Sequence, residues 1–129
     1  MVLLLVVLSL VASCDASSQS KTSQEVRVGA NANGHMVELD KGQTLLVLLE
    51  ANPTTGYRWE AVGLDRQILR SMGDPEFEPY SAQVGGPGME IMRFEAVARG
   101  QVTLNIVYHR PWERDVQPLQ TYVLLVKVR

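Results

Sequence analysis

Beyond residue 14 the chain has no cysteine, because Cys14 is the only one in its 129 residues. A domain downstream of it therefore has no internal disulfide and no thiol nucleophile, and its stability rests on packing. Charge of one sign is also missing. The 12 Lys and Arg stand against 14 Asp and Glu, which leaves no field to attract nucleic acid or an anionic membrane surface. Helical spacing of apolar residues is absent from residue 25 onward, and His35 and His109 lack the partners and spacing of a zinc site. Asp74, Glu76 and Glu78 fall in an irregular acidic stretch that reads as a solvated loop rather than an acid/base pair. With no convergent catalytic groups, the residues point away from an enzyme and call for no metal or cofactor.

What is present begins with an apolar run, MVLLLVVLSLVAS, over residues 1–13. A bilayer core of roughly 30 Å needs about 20 such residues, so this run is expected to be a signal peptide rather than a membrane span. Its end, Leu10-Val11-Ala12-Ser13-Cys14, resembles the lipobox of bacterial lipoprotein precursors. That resemblance implies that Cys14 becomes the lipidated first residue of the mature chain, held at a periplasmic or cell-envelope membrane. The alternative is a simple secretory signal with an incidental cysteine; export is expected either way. Residues 14–24, small and polar after the cysteine, read as a flexible tether.

From residue 25 to 129, nearly half-apolar overall composition and one-domain length indicate a single packed unit, expected to be monomeric. Short runs of β-branched and aromatic residues recur between Gly, Pro, Asn and Asp, the pattern of an all-β sandwich or barrel. Seven strands are predicted, over residues 25–30, 36–39, 44–50, 57–62, 89–98, 101–109 and 121–129, a number suited to an immunoglobulin-like β-sandwich. Val102, Leu104, Ile106 and Tyr108 alternate with Thr103, Asn105 and His109, and Tyr122, Leu124, Val126 and Val128 repeat the pattern, so each strand has one core face. Arg99-Gly100 reads as a tight hairpin between two of these strands. Residues 65–72 fit either a short strand or a single helical turn.

Three connections are longer and chemically distinctive: Asn52-Pro53-Thr54-Thr55-Gly56-Tyr57, then Gly85-Gly86-Pro87-Gly88, then Arg110-Pro111-Trp112. In order and spacing these resemble the three signature motifs of the chagasin family of cysteine-protease inhibitors. The resemblance implies an immunoglobulin-like sandwich whose three loops gather at one end and enter the active-site cleft of a papain-like cysteine protease. It implies that the first loop sits over the catalytic cysteine, the other two clamp either side, and inhibition is reversible and non-covalent.

The residues suit those roles. Pro53, Gly56 and the χ1-stiff Thr54 and Thr55 restrict the first loop before it binds, so little ordering entropy is lost on docking. Trp112 and Arg110 are the side-chain types that most often anchor interfaces. Each loop also has a plainer reading. The first can be a stable turn and the second an ordinary Gly/Pro loop; in the third, Trp112 can fold back on the core while Arg110 pairs with Glu113. The middle loop departs from the family's common Gly-x-Gly-Gly, since Pro87 removes a backbone donor and fixes φ, which bears on selectivity. A rival for the whole chain is an extracytoplasmic adhesion or envelope-assembly module, because a sandwich by itself does not specify function.

Overall fold

A computed structural model describes residues 24–129. The apolar leader, Cys14 and the tether up to residue 23 lie outside the described residues. Among the described residues nine strands form two sheets. β1 (Glu25–Val28), β3 (Thr44–Ala51), β7 (Gly88–Ala96) and β5 (Leu69–Ser71) lie in that order in one sheet, and β6 (Glu76–Pro79) also pairs with β7. The second sheet has the order β2 (Met36–Leu39), β9 (Gln120–Val128), β8 (Gly100–His109) and β4 (Arg58–Val62).

The period-two patterns produce the core. Leu45, Val47, Leu49 and Ala51 of β3 face inward together with Met92, Phe94 and Ala96 of β7. Val102, Leu104, Ile106 and Tyr108 of β8 meet them from the other sheet, beside Tyr122, Leu124, Val126 and Val128 of β9. Each large side chain fully withdrawn from water in this way contributes about 1.5–3 kcal/mol.

Where nine strands stand instead of the predicted seven, the extra two are β5 and β6. The open choice at residues 65–72 resolves into a turn followed by β5. β6 lies in the stretch read as an irregular acidic loop, and all four of its residues are exposed. Its ladder to β7 is made by the backbone, with Glu76 reaching Arg93 at 2.9 Å, and its alternation of Glu with Phe77 and Pro79 is too short to stand out from the acidic stretch around it. The chain after Val28 also leaves the sheet earlier than predicted, in a 3₁₀ turn at Ala30–Ala32.

Arg99-Gly100 is not a hairpin. β7 and β8 belong to different sheets, and residues 97–99 carry the chain across the sandwich. Gly100, at φ 150°, lies so close to Ile68 that an added Cβ would sit 2.9 Å from its Cδ1. A sheet-to-sheet corner and a hairpin both favour glycine, which is why the dipeptide does not distinguish them.

Candidate functional site

Strand direction brings three loops to one pole. β3 ends at Ala51 opposite Gly88, where β7 begins, while His109 at the end of β8 pairs with Arg58 at the start of β4. Residues 52–57 therefore pass between the sheets at the same end where residues 80–87 join β6 to β7 and residues 110–119 join β8 to β9.

The first loop is closed by its own polar groups. Asn52 Oδ1 accepts from Thr54 N at 3.2 Å and from Thr54 Oγ1 at 2.6 Å, and Thr55 Oγ1 donates to Asn52 O at 2.7 Å. Pro53–Thr55 forms a single 3₁₀ turn with Pro at its first position, where no donor is needed. Gly56 ends the turn at φ 81°, a left-handed conformation that glycine accepts without strain. The two threonine hydroxyls thus donate inside the loop and leave methyl groups and lone pairs at the tip. The loop is stiff before it meets any partner.

Both neighbouring loops touch this turn. From the second, Gly85 O lies 3.4 Å from both Asn52 Nδ2 and Thr54 Oγ1. The third reaches it with Arg110, whose Nε donates to Thr55 O at 3.0 Å and whose guanidinium stands 4.5 Å over the Tyr57 ring. Arg110 also approaches Glu113 at 3.4 Å, so the pairing weighed as its plainer reading exists alongside the brace to the first loop. Trp112 lies across Gly56, where an added Cβ would come within 2.2 Å of its ring, yet 67% of the residue remains exposed. Trp112 shields the glycine with one edge and offers the rest of the indole to solvent.

Thr54, the Gly85–Gly86 segment and Trp112 accordingly share one end of the molecule. Gly88 stands apart from the other residues of the set. It is buried in β7, where an added Cβ would lie 2.3 Å from Glu78 O and 2.6 Å from the Phe77 ring. Its lack of a side chain lets β6 close onto β7. Pro87, the departure from the motif, has an exposed ring and a carbonyl that accepts from Tyr80 N at 3.2 Å, closing the base of the second loop.

Sequence reasoning missed two groups here. Val84, 97% exposed, and Tyr80 put apolar surface on the second loop; nothing in their local pattern separates them from ordinary loop residues. Glu90 is nearly buried, and its Oε2 accepts from Trp59 N at 3.3 Å. Burial pushes its carboxyl above the usual glutamate range, while the Trp59 N–H and nearby Arg58 pull it partway back. A signal for Glu90 did exist: it occupies a core-facing register in β7, between Gly88 and Met92. The histidines are engaged elsewhere, His109 with Glu60 at 2.8 Å and His35 with Asn33 O at 3.1 Å. Among the described residues no cluster of His, Cys, Asp or Glu could hold a metal ion.

Two sheets with a braced, three-loop tip define an immunoglobulin-like sandwich. Residues 38–126 match the family described as Chagasin family peptidase inhibitor I42, and the chain belongs to that family. It is similar to Amoebiasin-2 of Entamoeba histolytica, 30% identical over 84 residues that cover 64% of this chain and 68% of that protein. Chagasin of Trypanosoma cruzi is 25% identical over 99 residues, 74% of this chain and 90% of the relative. In three dimensions the fold resembles the crystal structure of the cysteine protease inhibitor EhICP2 from Entamoeba histolytica. The TM-score is 0.69 at 19% identity, covering 81% of this chain and 95% of that one.

Proposed function

We infer that this protein is a reversible, non-covalent inhibitor of papain-like cysteine proteases, acting by inserting its three-loop tip into the active-site cleft. The observation that carries this reading is the internally hydrogen-bonded turn at residues 52–57, braced from one side by Gly85 and from the other by Arg110 and Trp112. A protruding turn already near its bound shape loses little entropy in a cleft, so tight binding needs no covalent bond. The first loop is the plug. Gly85, Gly86 and Pro87 with Val84 form one clamp, and Arg110, Pro111 and Trp112 form the other. In this scheme Arg110 acts chiefly by holding the plug, and Trp112 supplies the apolar contact.

Titration of papain with the purified protein, lacking residues 1–14, tests the reading directly. Inhibition should be reversible on dilution and saturate at one chain per enzyme, as expected of a monomer. Replacing Thr54 and Thr55 together by arginine should abolish inhibition without lowering the melting temperature appreciably. An adhesion module using another face would be indifferent to that change, and equal potency of the variant would refute the plug.

Export and lipid attachment at Cys14 complete the proposal. The described chain starts beside Thr44, at the pole opposite the loops, so an anchor on that side leaves the tip free to meet an enzyme. Labelling with a radioactive fatty acid should mark the wild type and not Cys14→Ser.

A further inference from the structure

One side of the loop tip is undercut by an open groove of about 440 Å³, bounded by Pro53 and Gly56 of the first loop, Pro111 and Trp112 of the third, and Phe77 and Glu90. On that side no packed core backs the first loop, although Tyr57 leans on Tyr108 with ring centroids 5.3 Å apart. Hydrogen bonds at its two feet help to set the angle at which it leaves the sandwich, and each foot is held by the opposite sheet. Asn52, leaving β3, donates its N–H to Tyr108 Oη of the second sheet at 3.1 Å. Trp59, entering β4, is held by the first sheet twice: its indole Nε1 donates to Glu50 O at 3.0 Å, and its backbone N–H donates to Glu90. Stacking of Trp59 on Tyr108, with ring centroids 4.8 Å apart, ties the two feet together.

Glu90 is the member of this set whose chemistry calls for an explanation. β4 is the edge strand of its sheet, and the N–H of Trp59 bonds to a side chain of the opposite sheet. A buried N–H there needs an acceptor from outside the ladder. An apolar side chain at position 90 would continue the core face formed by Met92 and Phe94, but it would leave that donor unsatisfied. A carboxyl group, acted on by Arg58 of β4, supplies the acceptor.

We propose that Glu90 is a positioning residue for the inhibitory tip, clamping the exit of the first loop to the opposite sheet through Trp59. The proposal rests on the inhibitor reading for its functional consequence, though the clamp itself is a property of the free protein. Two variants and two measurements separate these. Glu90→Leu removes the acceptor and should weaken inhibition of papain about tenfold or more. Glu90→Gln keeps a carbonyl oxygen within reach of Trp59 N and should restore inhibition to within about threefold of the wild type. Amide hydrogen exchange, which requires no enzyme, should show faster exchange at residues 54–59 in Glu90→Leu, with residues 43–47 at the far pole unchanged.

Unchanged exchange at residues 54–59 in Glu90→Leu overturns the clamp. So does exchange accelerated equally at both poles, which would make Glu90 a general contributor to stability, and so does a failure of glutamine to rescue. A wild type that leaves papain fully active while the exchange pattern follows expectation refutes the inhibitor reading and spares the clamp.

Discussion

At one pole of the sandwich the connections are long and lean on one another; at the other the chain turns between β2 and β3 over residues 40–43 and crosses between the sheets over residues 97–99. The far pole is secured by closure of the ladders and by exposed ion pairs, Arg129 with Glu38 at 3.4 Å and with Asp40 at 3.3 Å. At the loop pole polar groups are matched within and between loops, from Asn52 with Thr54 to Arg110 with Thr55. The same two sheets support both ends, so the difference lies in how exposed backbone is held. A short turn is positioned by its flanking strands, whereas a protruding turn needs partners of its own to keep one shape in water. The tip obtains them from its neighbours and from the cross-sheet bonds at its feet.

Two glycines offer the sharpest way to break the comparison. Gly56 and Gly42 both lie in the left-handed region, at φ 81° and 92°, but an added Cβ meets Trp112 at the first and nothing within 4 Å at the second. Each alanine substitution should cost about 1–2 kcal/mol of stability from backbone strain. Only Gly56→Ala should also displace Trp112 and weaken papain inhibition, by about 30- to 100-fold. Inhibition assays alongside thermal melts decide it, and parallel behaviour of the two variants would mean the poles are functionally equivalent.

A smaller effect is expected from truncating one exposed side chain at each pole. Trp112→Ala should weaken inhibition about tenfold or more, as loss of an aromatic anchor does, while Arg99→Ala should stay within about twofold. Inhibition constants that change by the same factor would remove the third loop from the contact surface.

Glu90 makes the distinction one of pH. Because burial raises its carboxyl above the ordinary value of 4.5, the folded state holds the proton more tightly than the unfolded chain. Its contribution is fully present below the ordinary value and is lost as pH rises through the raised one. Arg58 of β4 is the charged group that acts on it, pulling against the effect of burial, and Tyr57 lines the same groove. Glu90→Gln, which cannot ionise, should therefore gain in melting temperature over the wild type as pH is raised from about 4 to 7. A difference between the two that is constant with pH would contradict the buried-acid assignment. The least change is expected at the far pole, where Arg129→Ala should cost about 1 kcal/mol or less, since its pairs are solvent-exposed; it should leave inhibition untouched, and a chemical denaturation curve would register the difference.

Much of the architecture was legible in the chain because its strands alternate cleanly. Val102 to Tyr108 and Tyr122 to Val128 each declare one core face, and the structure buries those residues. The candidate loops were visible as unusual turn chemistry, NPTTGY above all. β6 was hidden because EFEP is only four residues long, exposed throughout and set in an acidic stretch, and Arg99-Gly100 misled because sheet membership is not a local property. Val84 and Gly88 illustrate the same limit at the tip: four positions apart in the motif region, one is almost wholly exposed and the other buried, and β6 closes on Gly88 alone.

By itself, then, the order of residues determined an all-β domain with no disulfide in it, and it determined the stiffness of the turn at residues 52–57, because alternation, φ restriction and side-chain capping act over a few neighbouring positions. Tertiary structure alone decided that Gly85 meets Thr54, that Arg110 meets Thr55 and Trp112 meets Gly56, that β7 and β8 lie in opposite sheets, and that Glu90 receives the N–H of a residue 31 positions away. Those outcomes depend on which strands pair and which ends they share, and such long-range pairing is chosen by burial of the whole core rather than by any local preference.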